Sequence, residues 1–459
     1  MANPLIRLQQ LGQSPWHDNI RRQLLTSGAL KKMVDEGDIT GLTSNPTIFE
    51  QAIADSTDYD EDLHRLARAG KTAEEIFDAL AIDDIRNAAD VLATVFERTE
   101  RKDGYVSIEV APRLAGDTQA TIREARRLWS TVNRPNLMVK IPATAAGVPA
   151  IEQSIADGLN INVTLIFSLK RYDEVMDAYL RGLIRRLESG QKIDRIASVA
   201  SFFVSRVDTL VDKLLDEKIA AGAEKKDLLQ SLKGKAAIAN AKLAYAEFRR
   251  KFSTEAFAGL KNHGAGVQRP LWASTSTKNP AYPDVYYVEA LVGSDTVDTM
   301  PPATLAAYKN HGNPEPRLEK DLDDARHVMD QLAEAGISMD AVTKKLEEDG
   351  VASFAKSFES LIAVVERRRL QTLGAVAPLA ATTPQRPRRR ATRAKRTASA
   401  RTKTARRAAG KKSTPKKPRK AAAKKKARGA ASRRKSVVKA SRKPARTARK
   451  STARRKKRR

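Results

Sequence analysis

A charge that closes an otherwise apolar strand is out of place unless it has a task, and Lys140 stands there in Asn136-Leu-Met-Val-Lys-Ile-Pro142. Period-two alternation sets it on the same face as Met138, inside a sheet or at its edge. Only a neutral amine attacks a carbonyl, so an enclosed lysine has the makings of a Schiff-base nucleophile, whereas one that reaches solvent does not. Glu109 ends the preceding run Val106-Ser-Ile-Glu-Val110. Asn162 and Thr164 share one face of Asn160-Ile-Asn-Val-Thr-Leu-Ile166, while Asn45, Ser201 and Arg206 follow or end further apolar runs. Each alone reads equally well as a satisfied core group or a strand-end cap. Together they supply an amine, a carboxylate, a hydroxyl and amides, the inventory for forming and dehydrating a carbinolamine.

Such groups converge only if the strands that carry them lie side by side. Short, mostly apolar runs at 14–20, 39–43, 105–110, 136–141, 160–167, 196–201, 269–273 and 296–300 fit strands buried on both faces. Between several of them lie stretches with apolar residues three and four apart, as at 73–97, 117–131, 169–187 and 205–221. Strand and helix in alternation mean parallel strands with crossover helices. About eight such units predict a closed α/β barrel, a (β/α)8 TIM barrel whose site gathers at the carboxyl ends of the strands. Helical patterns at 227–252 and 318–369 exceed the repeat and are expected to be packing or capping additions. The predicted barrel unit is 1–372, and a different composition holds 373–459.

Charge divides the chain at the same place. The formal net charge is +31, yet residues 386–459 alone hold 36 Lys or Arg and no Asp or Glu. Residues 1–385 are left with 49 basic and 54 acidic side chains, an ordinary balance for a soluble protein. With no cysteine, disulfides and thiolate metal sites are excluded, and a cytoplasmic setting is the default. No run approaches the roughly 20 apolar residues of a membrane span, and the amino terminus does not read as a secretion signal. His17, His64, His263, His311 and His327 lack metal-ligand spacing, and no glycine-rich phosphate loop is present. The expectation is an enzyme that works without metal or cofactor. Trp16, Trp129 and Trp272 read as core or pocket walls.

Beyond about residue 375, Ala, Pro, Ser, Thr, Lys and Arg replace the apolar periodicity, as in Lys411-Lys-Ser-Thr-Pro-Lys-Lys-Pro-Arg-Lys420. Too little apolar surface is available to offset chain entropy, so the segment is expected to be disordered when free. Its density of cations suits a phosphate backbone, DNA or RNA, through counterion release without sequence preference. No aromatic residue follows Arg386, so base stacking is not available to it. In composition it resembles the tails of linker histones and bacterial histone-like proteins.

Several segments resemble the signature segments of transaldolases: Thr40-Gly-Leu-Thr-Ser-Asn-Pro-Thr-Ile-Phe-Glu50, Val139-Lys-Ile-Pro-Ala-Thr144 and Ile161-Asn-Val-Thr-Leu-Ile-Phe167. The similarity runs in consistent order over roughly residues 10 to 370 and takes in Ser14-Pro-Trp-His-Asp-Asn-Ile20 and Ala200-Ser-Phe-Phe-Val-Ser-Arg206. It is closest to the longer members with extra helices. The resemblance implies a class I aldolase-type barrel that moves a three-carbon dihydroxyacetone unit between sugar phosphates, its partners, in the pentose phosphate pathway. By the same resemblance Lys140 forms the Schiff base and Asp18 exchanges a proton with the donor hydroxyl. Glu109 and Thr164 handle water and protons, Asn45 and Asn162 contact the donor, and Ser201 and Phe203 line the pocket. Arg206 takes the phosphate. Shorter relatives place a second arginine after the seventh strand, where this chain reads Ala273-Ser-Thr-Ser-Thr-Lys-Asn279; Ser274 and Lys278 are the candidates to replace it. Two other readings compete: a chromatin-associated polyanion binder with a passive barrel, and an aldolase that releases free dihydroxyacetone.

Overall fold

The computed structural model describes residues 3–374. The expected tail lies outside them. Eight strands pair in parallel in chain order: β1 (Gln13–Asp18), β2 (Gly41–Thr43), β3 (Val106–Glu109), β4 (Leu137–Pro142), β5 (Ile161–Ile166), β6 (Ser198–Phe203), β7 (Arg269–Ala273) and β8 (Thr296–Met300). β8 pairs back onto β1 and closes the barrel. Helices cover the outside, which is why both faces of the strands are apolar. The strand residues are buried except Asp18 and Glu109, which are partly buried and end their strands.

Ring closure requires the barrel interior to be filled. Trp16 fills part of it opposite Gly41, where a Cβ would stand 2.4 Å from the indole ring; any side chain there would force Trp16 out. The indole nitrogen donates to Asp103 Oδ1 at 2.6 Å. Trp272 is fully buried and Trp129 packs against the core, so all three tryptophans are walls as expected.

The expected strands coincide with the observed ones to within a few residues, and β7 and β8 coincide throughout. The two surplus helical patterns differ more, since each is two helices. Lys226–Leu232 and Ala236–Lys251 are separated at Gly234, whose φ is +74°. Leu322–Glu334 stops before Gly336, φ +69°, and Ser338 then caps the amide of Ala341 to start Met339–Thr372. Left-handed glycines end helices because only they adopt that conformation without a Cβ penalty.

The long helix Met339–Thr372 is more than an addition. It packs on the helices Pro46–Ala54, Asp60–Arg68 and Ala73–Arg98 and touches β5. A Cβ at Gly350 would lie 3.0 Å from Leu165, so the glycine lets the helix approach the carboxyl end of β5. Its absence of a side chain costs helix propensity of about 1 kcal/mol relative to Ala.

Candidate active site

Register determines which side chains meet. Parallel partners project to the same side, and Glu109 pairs with Lys140, which pairs with Asn162; Pro142 pairs with Thr164, and Asp18 with Thr43. Lys140, Asp18, Thr164, Asn45, Ser201, Phe203, Arg206, Ser274 and Lys278 therefore line one cavity of about 550 Å³ at the carboxyl ends of the strands. Asn162 sits one layer deeper, and Glu109 stands behind Lys140. The expected residues thus gather around one mouth.

Lys140 is 5 % exposed. Its Nζ donates to the Ser44 carbonyl at 3.1 Å and lies 3.5 Å from Glu109 Oε2. That separation is an ion pair longer than a good hydrogen bond, and Oε2 has no hydrogen-bond partner among the described residues. Thr164 Oγ1 is likewise buried without one. Burial raises the pKa of Glu109; Lys140 opposes the rise and Asp18 adds to it. Glu109 is therefore disposed to hold a proton beside the amine.

Asp18 accepts from Thr43 Oγ1 at 2.8 Å, and Thr43 in turn shares a 2.8 Å contact with Thr299 Oγ1. Burial raises its pKa too, against the pull of Lys140, the Thr43 hydrogen bond, Lys278 and Arg206. A carboxylate of raised basicity is better matched to abstracting a hydroxyl proton near neutral pH.

The polar floor is fixed by side-chain hydrogen bonds. Asn162 donates to Ser107 Oγ at 3.0 Å and accepts from Ser201 Oγ at 2.7 Å, so the amide cannot turn. Asn45 caps the Pro46–Ala54 helix, its oxygen accepting from Ile48 N at 3.0 Å. Leu165, which follows Thr164, has φ +59° at a register shift between β5 and β6. A buried leucine in that region costs roughly 1–2 kcal/mol, strain of the kind that collects at functional sites.

Cations ring the opening. Arg206 stands in the first turn of Ser205–Ala220, where backbone N–H groups add to its charge. Its guanidinium lies 5.2 Å from the Phe203 ring centre and 6.0 Å from that of Phe354. Burial lowers its pKa, with Asp18 opposing. Lys278 projects from the rim and donates to Ser276 Oγ at 2.7 Å; partial burial of its ammonium and the charge of Arg206 lower its pKa, again against Asp18. Ser274, with φ +58°, ties this loop to Ser205 through a 3.1 Å hydroxyl contact. Two cations over an anion-seeking helix terminus suit a phosphate.

Among the described residues no cluster of His, Asp and Glu could hold a metal ion, and no helix is long and apolar enough to cross a membrane.

A sequence profile described as Transaldolase/Fructose-6-phosphate aldolase matches residues 15–365. This chain belongs to that family. It is 47 % identical to "Transaldolase 2" of a Nostoc species over 369 residues, which is 79 % of this chain and 97 % of the relative. It is 49 % identical to "Transaldolase" of Thiobacillus denitrificans over 358 residues, 78 % and 98 % of the two chains. It is 50 % identical to "Transaldolase" of Acidothermus cellulolyticus over 368 residues, 80 % and 97 %. Family membership makes the chain an enzyme of the transferase class.

Sequence reasoning missed Phe354. Reached only through Met339–Thr372, it lines the mouth with its ring centre 5.9 Å from Lys140 Nζ. It also missed Thr43, which donates to Asp18, and Thr299, which contacts Thr43. For the threonines a signal existed, since both end or nearly end strands; for Phe354 nothing local sets it apart from a packing residue.

Proposed function

We propose that this protein transfers a dihydroxyacetone unit from sedoheptulose 7-phosphate to glyceraldehyde 3-phosphate, giving erythrose 4-phosphate and fructose 6-phosphate, through a Schiff base on Lys140. The observation that carries this reading is the enclosed Lys140 amine 3.5 Å from a buried carboxylate, with a second carboxylate lining the same mouth. Neutral Lys140 attacks the donor carbonyl, and Glu109 with Thr164 moves the protons that convert the carbinolamine hydroxyl into departing water. Asp18 takes the proton of the donor hydroxyl one carbon beyond the three-carbon unit. The carbon–carbon bond then breaks, its electrons passing to the iminium, and the aldehyde leaves. An acceptor aldehyde reverses these steps. Asn45, Asn162 and Ser201 position the donor hydroxyls, Phe203 walls the pocket, and Arg206 with Ser274 and Lys278 holds the phosphate.

Borohydride added with fructose 6-phosphate is expected to fix the donor covalently to Lys140, and Lys140→Ala should abolish both trapping and turnover. A Lys140→Ala protein that still traps donor and still turns over would sink the mechanism. The family description also names an aldolase; donor turnover that requires an acceptor aldehyde separates transfer from simple cleavage. The preferred setting is the cytoplasm and the pentose phosphate pathway.

For residues 386–459 the reading is non-specific binding of DNA or RNA, supported by 36 basic and no acidic side chains. Full-length protein should bind duplex DNA with an affinity that falls steeply with salt, and protein ending at residue 375 should not; equal binding by both overturns it. The ordered polar site of the barrel argues against a passive carrier.

A further inference from the structure

Glu109 has two sides. Toward the mouth it faces Lys140; on its other side it lines a second cavity of about 250 Å³, bounded by Asn45, Phe77, Ala81, Ala111 and Phe358. The charges around this space are paired. Arg113 pairs with Glu74 at 3.0 Å, and Arg127 with Asp78 at 2.8 Å and Glu124 at 2.7 Å. All five of these side chains are partly exposed, so the space leads to solvent. Three carboxylates meet two guanidiniums there, so an anionic ligand finds no surplus cation among these groups. What the inner wall does offer is the Glu109 carboxyl, whose other side meets Lys140 through Oε2. Several waters fit such a volume, and a polar wall atom of this kind is what holds one.

Schiff-base chemistry needs this access. When the carbinolamine C–O bond breaks, the nitrogen lone pair forms the C=N bond, the hydroxyl leaves as water with a proton from Glu109, and Glu109 becomes a carboxylate. Until hydrolysis of the imine runs the same exchange backward and returns its proton, Glu109 stands as a buried carboxylate. During these steps the mouth is filled by sugar phosphate under Phe354. We propose that the cavity behind Glu109 is a rear solvent well that hydrates this carboxyl, and keeps it in proton exchange with bulk water, while the substrate side is closed. The inference rests on the Schiff-base reading above and adds a route to it.

Filling the well from its far wall tests the route. Ala111→Leu and Ala81→Met each place an apolar chain in the space without touching the mouth. Rapid mixing with fructose 6-phosphate and quenching in borohydride reads the rate of imine formation, and equilibrium binding reads donor affinity. Folding is checked by circular dichroism and melting temperature. A folded, filled variant is expected to form the imine about tenfold more slowly with donor affinity unchanged. A folded variant that forms it at the unaltered rate overturns the well. A merely structural defect would lower affinity and melting temperature together. A high-resolution crystal structure of the unaltered protein is a second, independent test: ordered solvent within about 3.2 Å of the Glu109 carboxyl on the cavity side supports the well, and its absence overturns it. Failure of the unaltered protein to trap donor at all would instead strike the Schiff-base reading.

Discussion

At the mouth, Asp18 shares its surroundings with Lys140, Arg206 and Lys278, and Glu109 behind it shares Lys140; in the layer outside the barrel, Asp298 and Asp208 meet neutral donors only. Asp298 Oδ1 accepts from Thr275 Oγ1 at 2.9 Å, and Asp208 accepts from Ala237 N at 2.7 Å and Tyr287 Oη at 3.0 Å. Burial raises the pKa of all four. In the mouth the neighbouring cations pull back against burial. In the outer layer no cation opposes burial, and both acids are pushed up to about 7. Buried acid is therefore not by itself a mark of catalysis; the company of cations distinguishes the two groups.

The most severe way to test that distinction is Asp18→Asn. The amide keeps the shape and can still engage Thr43, but it cannot accept the hydroxyl proton. Turnover should fall by about 10²–10⁴, while borohydride trapping at Lys140 persists, because imine formation precedes the step that needs Asp18. Trapping and turnover lost in parallel would move Asp18 into the amine chemistry and blur the separation from Glu109.

A smaller effect is expected at the helix that covers the mouth. Phe354→Ala opens the space over Lys140 and Arg206 without removing a reacting group, and kcat/KM should drop about tenfold through looser positioning. Gly350→Val should act on the same element from a distance, since its side chain must displace Leu165 or the helix, an overpacking cost of about 1–3 kcal/mol. If Phe354 is held in place by that close approach, the two substitutions combined should cost less than the sum of their separate effects. Full additivity would mean that Gly350 serves packing alone.

The mouth was legible in the sequence to the extent that strands wrote it. Lys140, Glu109, Asn162 and Thr164 are polar letters in apolar runs, and parallel register brings any such set to one end. Asp18 was placed by resemblance, as was the phosphate role of Arg206, and the structure brings both residues to the same cavity. Phe354 was illegible for a physical reason: it reaches the site from 190 residues beyond Thr164, on a helix whose register against the barrel depends on Gly350 meeting Leu165. The double helices at 227–252 and 318–369 could have been read, because Gly234 and Gly336 interrupt both patterns. Asp298, by contrast, announces nothing in Thr296-Val-Asp-Thr-Met300. It shares a strand with Thr299 of the mouth and projects to the opposite face, so one residue of register separates a catalytic support from a buried acid.

That opposite face gives the mildest test. Asp298 titrates at about 7 in the fold against 3.8 ordinarily. Below both values the folded and unfolded chains are equally protonated there. Between them the folded protein keeps a proton that the unfolded chain has released, so each step up in pH favours unfolding, and the loss is complete once pH passes about 7. Asp208 follows the same course. The melting temperature should therefore fall as pH rises from 5 to 8. Asp298→Asn, neutral throughout, should remove about half of that fall while leaving Thr275 a hydrogen-bond acceptor. Donor trapping and turnover should not change, since no substrate-facing group is touched. A melting temperature that rises over this range would show that Asp298 and Asp208 have cationic company after all, and the contrast between the outer layer and the mouth would collapse.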